Sequence, residues 1–498
     1  MGKKLYLIGI DAAPLWLIEK FSSEEHMGSF KKLITEKDLV EMESTLPPMT
    51  GAAWPTIYTG LNPGRHGVPD FFVMKSDYTP DLVYYDSSRN PPFWKDLAAS
   101  GKKCLVITPA TDITLPGYPN VDMITGFPLK ARTNSKRLES LMGKYNFYGE
   151  PDVEKEMKSG KMTDREGAAH FLESTEARTK IAVEAMKGKS YDFVYVCYTE
   201  TDRLQHFVLN KKEMAECLLP IYQSIGKYLD YVTELAEKEG DAVMIVSDHG
   251  AQPIKYKFLI NTWLIKQGYA KLKNKVMGEI TAASKNTKSS THNTGYGMRD
   301  KLMKTRLRIA YDRLPHRLKG VVSKSVGTLL PAANSGKYSR IHLFDYDMGK
   351  TRAFAAISNI NVATIWVNDR RFRNGNVSIS EKEKLKRDIS NGLLGLKDAS
   401  GKKLISNIYD GDTYYGKTSM FIHPDLLVEA MPGYMIDIFN FSSSSLFMEP
   451  EPPKRGDHTR MGIFGFHPWK PAKKTNPFKI TDVYKTVLDY YGIRKKRR

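Results

Sequence analysis

Asp11, Asp202 and the adjacent pair Asp248-His249 each close a run of apolar residues: KLYLIGID (4–11), YDFVYVCYTETD (191–202) and DAVMIVSDHG (241–250). Carboxylates together with imidazoles are the donor set of a zinc-type or manganese-type site. Asp202 and His206 lie four residues apart in TETDRLQH. On a helical turn that spacing puts both side chains on one face, where they can chelate one ion. Asp248 and His249 are neighbours and would point apart on a regular element, but where a chain turns at a strand's end they can still reach one ion or two adjacent ones. His458, in RGDHTRMGIF, precedes a further apolar run and is a candidate late ligand. Each residue alone has a plain structural reading as a helix cap, turn former or satisfied imidazole. Their coincidence is what points to a metal centre.

That coincidence requires the three runs to end at one place. Runs this rich in Val, Ile and Tyr suit parallel strands covered on both faces by helices. In such sheets, ligands bind beyond the carboxyl ends of the strands. Helix-like stretches alternate with these runs: around Leu15–Phe21, in PPFWKDLAAS before the strand-like KKCLVITPA (102–110), and over 211–239. The alternation predicts a doubly wound, mostly parallel α/β core. Residues 341–439 read as an inserted α+β cap, with strand-like 361–367 and 424–430 around a charged helix. MGIFGF (461–466) returns to a strand pattern, and a last helix over 480–492 stops at Gly492. The expected division is a core of 1–270 plus 440–498, a basic insert at 271–340 and a cap at 341–439.

The segment STLPPMTGAAWPTIYTGLNPGRHGV (44–68) is the other dense region. Thr50 follows two prolines and precedes small residues, and Pro55 is expected in the first turn of a helix. Thr50 then stands at a helix N-terminus, where free N–H groups and the positive dipole end favour an anion such as phosphate. A threonine hydroxyl there is also a natural N-cap, and the residue types alone favour that structural reading. A hydroxyl is a poor nucleophile near neutral pH unless a metal or base activates it, so the reading of Thr50 depends on the metal cluster. His66, in a Gly-rich turn, reads as structural.

Composition limits the remaining options. The net charge is +19, but it is concentrated: residues 271–340 hold 16 Lys and Arg against 3 Asp and Glu, and the chain ends Arg494-Lys495-Lys496-Arg497-Arg498. Residues 300–326 combine this charge with helical apolar spacing, which suits contact with an anionic membrane or a polyanion. No apolar run approaches the roughly 20 residues of a membrane span. The first strand starts almost at Met1, so a cytoplasmic location is expected. The 3 cysteines fit neither a disulfide framework nor a zinc ribbon.

At LIGIDAAP, TLPPMTGAAWPTIYTGLNPGRHGV, TETDRLQH, SDHGAQPIKYKFLINTWL and GDHTRMGIF, in that order, the chain resembles the alkaline phosphatase superfamily, and within it the prokaryotic form of the type I phosphodiesterase/nucleotide pyrophosphatase family. WVNDRRFRNG (366–375) and HPDLLVEAMPGY (423–434) resemble the inserted cap of that family. The resemblance implies an alkaline-phosphatase-like core and two divalent ions, zinc before manganese or iron. Thr50 would be the nucleophile and also touch a metal. Asp11, Asp248 and His249 would hold the ion beside it, and Asp202, His206 and His458 the second. Attack on phosphorus would give a phosphothreonine that water then hydrolyses. One departure stands out. The family's eukaryotic members carry an Asn three residues after the nucleophile, and here that position is Ala53, leaving the N–H groups of 51–52 as the expected replacement donors.

The function expected is a metal-dependent phosphodiesterase or nucleotide pyrophosphatase acting on a phosphoester or nucleotide. A phosphomonoesterase, phosphonate hydrolase or phosphotransferase on the same scaffold is the alternative within enzymes. A basic protein that binds nucleic acid or membrane surfaces is the alternative outside them.

Overall fold

The computed structural model describes residues 3–112, 114–278, 339–398, 400–450, 454–469 and 477–494. The chain divides into two compact units, one of residues 1–68, 84–253 and 451–498, the other of 69–83 and 254–450. The division expected at 270 thus falls at 253, the return expected at 440 falls at 451, and residues 69–83 group with the second unit. Residues 300–326, most of the basic insert and the tail from 495 lie outside the described residues.

The first unit is built on an eight-stranded sheet. At its centre Leu5–Ile10 lies between Phe193–Tyr198 and Ala242–Val246, parallel to both, with Leu5 opposite Phe193 on one side and Ala242 on the other. Cys104–Ile107 and Val121–Ile124 continue the parallel pairing beyond Phe193–Tyr198. On the other side Met461–His467 runs antiparallel between Ala242–Val246 and Leu39–Glu43, and Phe478–Lys479 forms the edge. All three central strands are buried along their whole length, as unbroken apolar runs require.

Successive side chains on a strand face opposite layers. Tyr6, Ile8 and Ile10 join one core with Leu17, Phe30, Leu204 and Ile225 from the helices on that face. On the other face Gly9 passes beneath the helix Thr50–Thr59. A Cβ there would meet the Trp54 ring at 2.8 Å and the Tyr195 hydroxyl at 3.0 Å, so this crossing admits only glycine. Tyr58, Trp94 and Tyr195 rings pack in the same layer. The result is the α/β core expected, with one antiparallel strand inserted into the parallel order.

Sequence periodicity passed over Leu39–Glu43, Val121–Ile124 and the 25-residue helix Asp164–Gly188. The first strand exposes two of its five residues, which leaves too short an apolar signature. The helix buries small residues such as Gly167, Ala168, Ala182 and Ala185, which contribute little to an apolar stripe. The second unit contains an antiparallel sheet in the order Ala353–Ala356, Val362–Val367, Leu426–Ala430, Ile405–Asp410. The helix Ile379–Leu394 begins in a capping box of Ser378 and Glu381, and this unit is α+β. Among the described residues no helix is long and apolar enough to cross a membrane.

Asp112, beyond the end of Cys104–Ile107, gives a test of the buried electrostatics. It is 1 % exposed and accepts the Thr114 N–H at 3.0 Å. Burial pushes its carboxyl up to about 7, against the stabilising pull of that N–H. A raised acid pKa adds stability below the unfolded value near 4, and that contribution is lost as pH rises through about 7. Asp112→Asn cannot titrate. Denaturant unfolding should therefore find the variant gaining on wild type between pH 4 and pH 8, by an amount on the order of 4 kcal/mol. A difference independent of pH would show that Asp112 stays ionised in the fold.

Candidate active site

The three central strands are paired in register, so they end level, and the turns after them deliver the chemistry. Asp11 follows Ile10, Asp248 and His249 follow Ala242–Val246, and Asp202 lies in the first turn of the helix Glu200–Val208. His206 sits in the last turn of that helix. His458 arrives on Gly456–Thr459, antiparallel to Gly250–Pro253, with His458 opposite Ala251. This pairing stacks the His458 ring on His249 with centroids 4.0 Å apart. All seven residues singled out in the sequence belong to the first unit, and the structure brings them together.

His206 Nε2 and His458 Nε2 lie 3.5 Å and 3.2 Å from Asp202 Oδ1. His249 Nε2 lies 3.6 Å from Asp11 Oδ1 and 3.3 Å from Asp248 Oδ2. Two groups of donors each converge to within 4.8 Å: Asp202, His206 and His458, and Asp11, Asp202 and His249. Asp202 belongs to both, whereas the sequence reading gave it only to the first.

The imidazoles are held in one tautomer. Nδ1 of His206 faces Gly456 O at 3.1 Å, Nδ1 of His458 faces Pro48 O at 2.8 Å, and Nδ1 of His249 faces Gly250 O at 3.1 Å. A carbonyl only accepts, so each Nδ1 carries a hydrogen and Nε2 is the ring atom turned inward. Fixing the remote nitrogen is how proteins orient histidines that bind metals. Asp248 Oδ1 accepts the Ala12 N–H at 3.2 Å, while its Oδ2 is buried with no hydrogen-bond partner. Three inward Nε2 atoms and an orphaned carboxylate oxygen are a donor set that fits a divalent cation.

The charges point the same way. Burial pushes the Asp11 carboxyl well above its usual range, and Asp248 and Asp202 push it further. Burial raises Asp248 to about 7. Burial also works to raise Asp202, but His206 and His458 outweigh it and hold that carboxyl well below its usual range. Burial takes His249 down to about 3, aided by His458. Three carboxylates crowded in a dry site call for added positive charge.

Thr50 is the first residue of the helix Thr50–Thr59, after Met49 as N-cap. It therefore does no capping. Its hydroxyl donates toward Asp11 Oδ1 at 3.4 Å and lies 3.2 Å from His249 Nε2. Pro55 falls in the second turn of the helix, not the first. Ala52 and Ala53 both donate their N–H groups to Met49 O, so of the pair 51–52 only the Gly51 N–H is available to an incoming anion. Ala53 itself is fully buried. His66 is structural, as its sequence context suggested: Nε2 meets Thr56 Oγ1 at 2.9 Å and Nδ1 accepts the Val68 N–H at 3.2 Å.

Two supports escaped the sequence reading. Trp54 Nε1 donates to Asp11 Oδ2 at 3.1 Å, and its place one helical turn after Thr50 was the available signal. Ser247 Oγ donates to His249 O at 2.6 Å and accepts the Ala13 N–H at 2.8 Å, tying the two turns together.

A family profile described as type I phosphodiesterase / nucleotide pyrophosphatase matches residues 5–339. Among solved structures, phosphonoacetate hydrolase from Sinorhizobium meliloti 1021 in complex with phosphonoacetate is similar over 99% of this chain and 96% of that one, with TM-score 0.56 and 11% identity. Its complex with phosphonoformate gives TM-score 0.55 at 12% identity over the same shares. Murine ectonucleotide pyrophosphatase / phosphodiesterase 5 is similar over 100% of this chain and 97% of that one, with TM-score 0.49 and 13% identity. At these identities the likeness to the phosphonoacetate hydrolase is one of fold. Among curated proteins, none matches the sequence.

Proposed function

Because the chain belongs to the type I phosphodiesterase / nucleotide pyrophosphatase family, we propose that it is a two-metal phosphoric ester hydrolase that cleaves phosphodiesters or nucleotide pyrophosphates through a phosphothreonine at Thr50. The observation that carries this reading is the Thr50 hydroxyl, free of capping duty and 3.2 Å from His249 Nε2, which also neighbours Asp11 and Asp248. Asp11, Asp248 and His249 would hold the ion beside Thr50, and Asp202, His206 and His458 the other. Two divalent ions on this thiolate-free set, zinc before manganese or iron, supply the charge that activates a hydroxyl and stabilises the oxygens of an in-line displacement.

The chain's own residues do the rest. Thr50 presents Oγ to phosphorus while its proton points to Asp11 Oδ1. The Gly51 N–H and the helix N-terminus hold a phosphoryl oxygen. The Oγ–P bond forms as the Thr50 O–H bond and the ester bond to the leaving oxygen break, and the proton departs with the leaving group. Water then attacks phosphorus, the Oγ–P bond breaks, and one proton of that water restores the Thr50 hydroxyl. The competing reading, a basic binder of nucleic acid or membrane, rested on 300–326 and the tail, and accounts for none of these residues.

Substrate preference follows from Ala53. A monoester dianion carries an extra charged oxygen, and the side chain at this position is a methyl group with nothing to donate. Bis-p-nitrophenyl phosphate or a nucleotide diester should therefore turn over faster than p-nitrophenyl phosphate at saturating metal. The reverse order would favour a phosphomonoesterase, and phosphate release from phosphonoacetate alone would favour a phosphonate hydrolase.

A further inference from the structure

Every polar side chain on the helix Glu200–Val208 is engaged. Asp202 and His206 form its site face. Thr201 Oγ donates to Asp11 O at 2.5 Å and Gln205 Nε2 to Ala12 O at 2.9 Å, which ties a second face to the end of the first strand. Glu200 and Arg203, three residues apart, form a third face and enter a buried network of two arginines and three glutamates.

Arg178, on the helix Asp164–Gly188, donates from Nη1 to Glu200 Oε2 at 2.6 Å and from Nη2 to Glu150 Oε1 at 3.3 Å. Ser174 Oγ donates to Glu200 Oε1 at 2.8 Å. Arg203 places Nε and Nη2 on the two oxygens of Glu154, each at 2.6 Å, and Nη1 on Glu150 Oε2 at 3.2 Å. Glu150 thus joins the two arginines. Arg178 and Glu200 are wholly buried, and the guanidinium of Arg203 lies 4.9 Å from the Phe171 ring centroid.

A buried ion pair is a poor source of stability, since apolar residues of equal volume hold a helix as well. What a forked arginine adds is direction, because two parallel bonds fix a carboxylate in angle as well as distance. We propose that Arg203 and Arg178, acting through Glu150 and Glu200, are positioning residues that aim Asp202 and His206 at their ion. The proposal rests on the two-ion reading above.

Titrating the metal-stripped full-length protein with Co2+ tests it. Wild type should take up two tight equivalents, and His206→Asn identifies which class belongs to the second site. Arg203→Lys keeps the charge and loses the fork. It should weaken that same class ten- to a hundred-fold, the range seen for outer partners of metal ligands, and leave the other class unchanged. Its turnover at limiting metal should fall and recover with excess Co2+. Glu150→Gln, equal in volume, should act in the same direction and serves if Arg203→Lys does not fold. A folded variant with both ions as tight as wild type and only a lower Tm would reduce the network to a structural brace and overturn the proposal. Fewer than two equivalents in wild type would instead overturn the two-ion reading itself.

Discussion

Replacing Thr50 by alanine is expected to remove nearly all turnover, on the order of 10⁴-fold or more, and to leave the fold and the bound metal unchanged. The expectation rests on what Thr50 does not do. Met49 is the N-cap of the helix, and no side chain caps it, so the variant loses none of the stability a Thr-to-Ala change at an N-cap would cost. The variant loses only the hydroxyl, which lies between Asp11 and His249. Thr50→Ser keeps an oxygen at that place and should retain part of the rate. Burst kinetics with a chromogenic diester, with metal content measured on the same samples, separates chemistry from folding. Turnover of the alanine variant at the wild-type rate would put the nucleophile elsewhere.

The site was legible because its parts are local. Asp11, Asp202, Asp248 and His249 each follow an apolar run, and the run itself announces the strand that carries it. Once Leu5–Ile10, Phe193–Tyr198 and Ala242–Val246 pair in register, residues just past their ends have to meet. Asp248 and His249 illustrate the limit of this logic. Their adjacency argued against a shared target on a regular element, and only the turn at Ser247, held by its bonds to His249 O and Ala13 N, lets both face one place. His458 needed a further long-range fact, the pairing of its strand with Gly250–Pro253.

What the sequence hid was whatever depends on distant partners. The network of Glu150, Arg178 and Arg203 joins residues up to 53 positions apart, and each alone looks like a solvated charge. Residues 69–83 sit in sequence between two core segments, yet Tyr78 hydrogen-bonds Asn368 and packs on Phe372 in the second unit. No periodicity reports a partner about 290 residues away. The strand Leu39–Glu43 was missed for a different reason. Only Leu39 and Met42 are buried, three positions apart, so the strand shows no alternating apolar pattern.

Removing the metal should abolish activity and lower stability together, and a single substitution can show why. An ion present at about 1,000 times its dissociation constant adds about 4 kcal/mol to folding, so chelation should lower the unfolding midpoint by an amount that depends on free metal. Asp248→Asn is expected to have opposite effects in the two states. In the stripped protein Asp248 is a buried acid with an orphaned Oδ2, pushed up by burial. Asparagine removes that charge and can turn its amide toward His249 Nε2, 3.3 Å from the present oxygen. The stripped variant should therefore be more stable than stripped wild type at pH 8. In the loaded protein the same change removes a ligand, so metal affinity, the stabilisation by metal and turnover should all fall. Thermal unfolding of both proteins, with and without chelator, measures the crossing. If Asp248→Asn destabilises the two states equally, Asp248 is an ordinary hydrogen-bonding acid and the carboxylates do not share a cation.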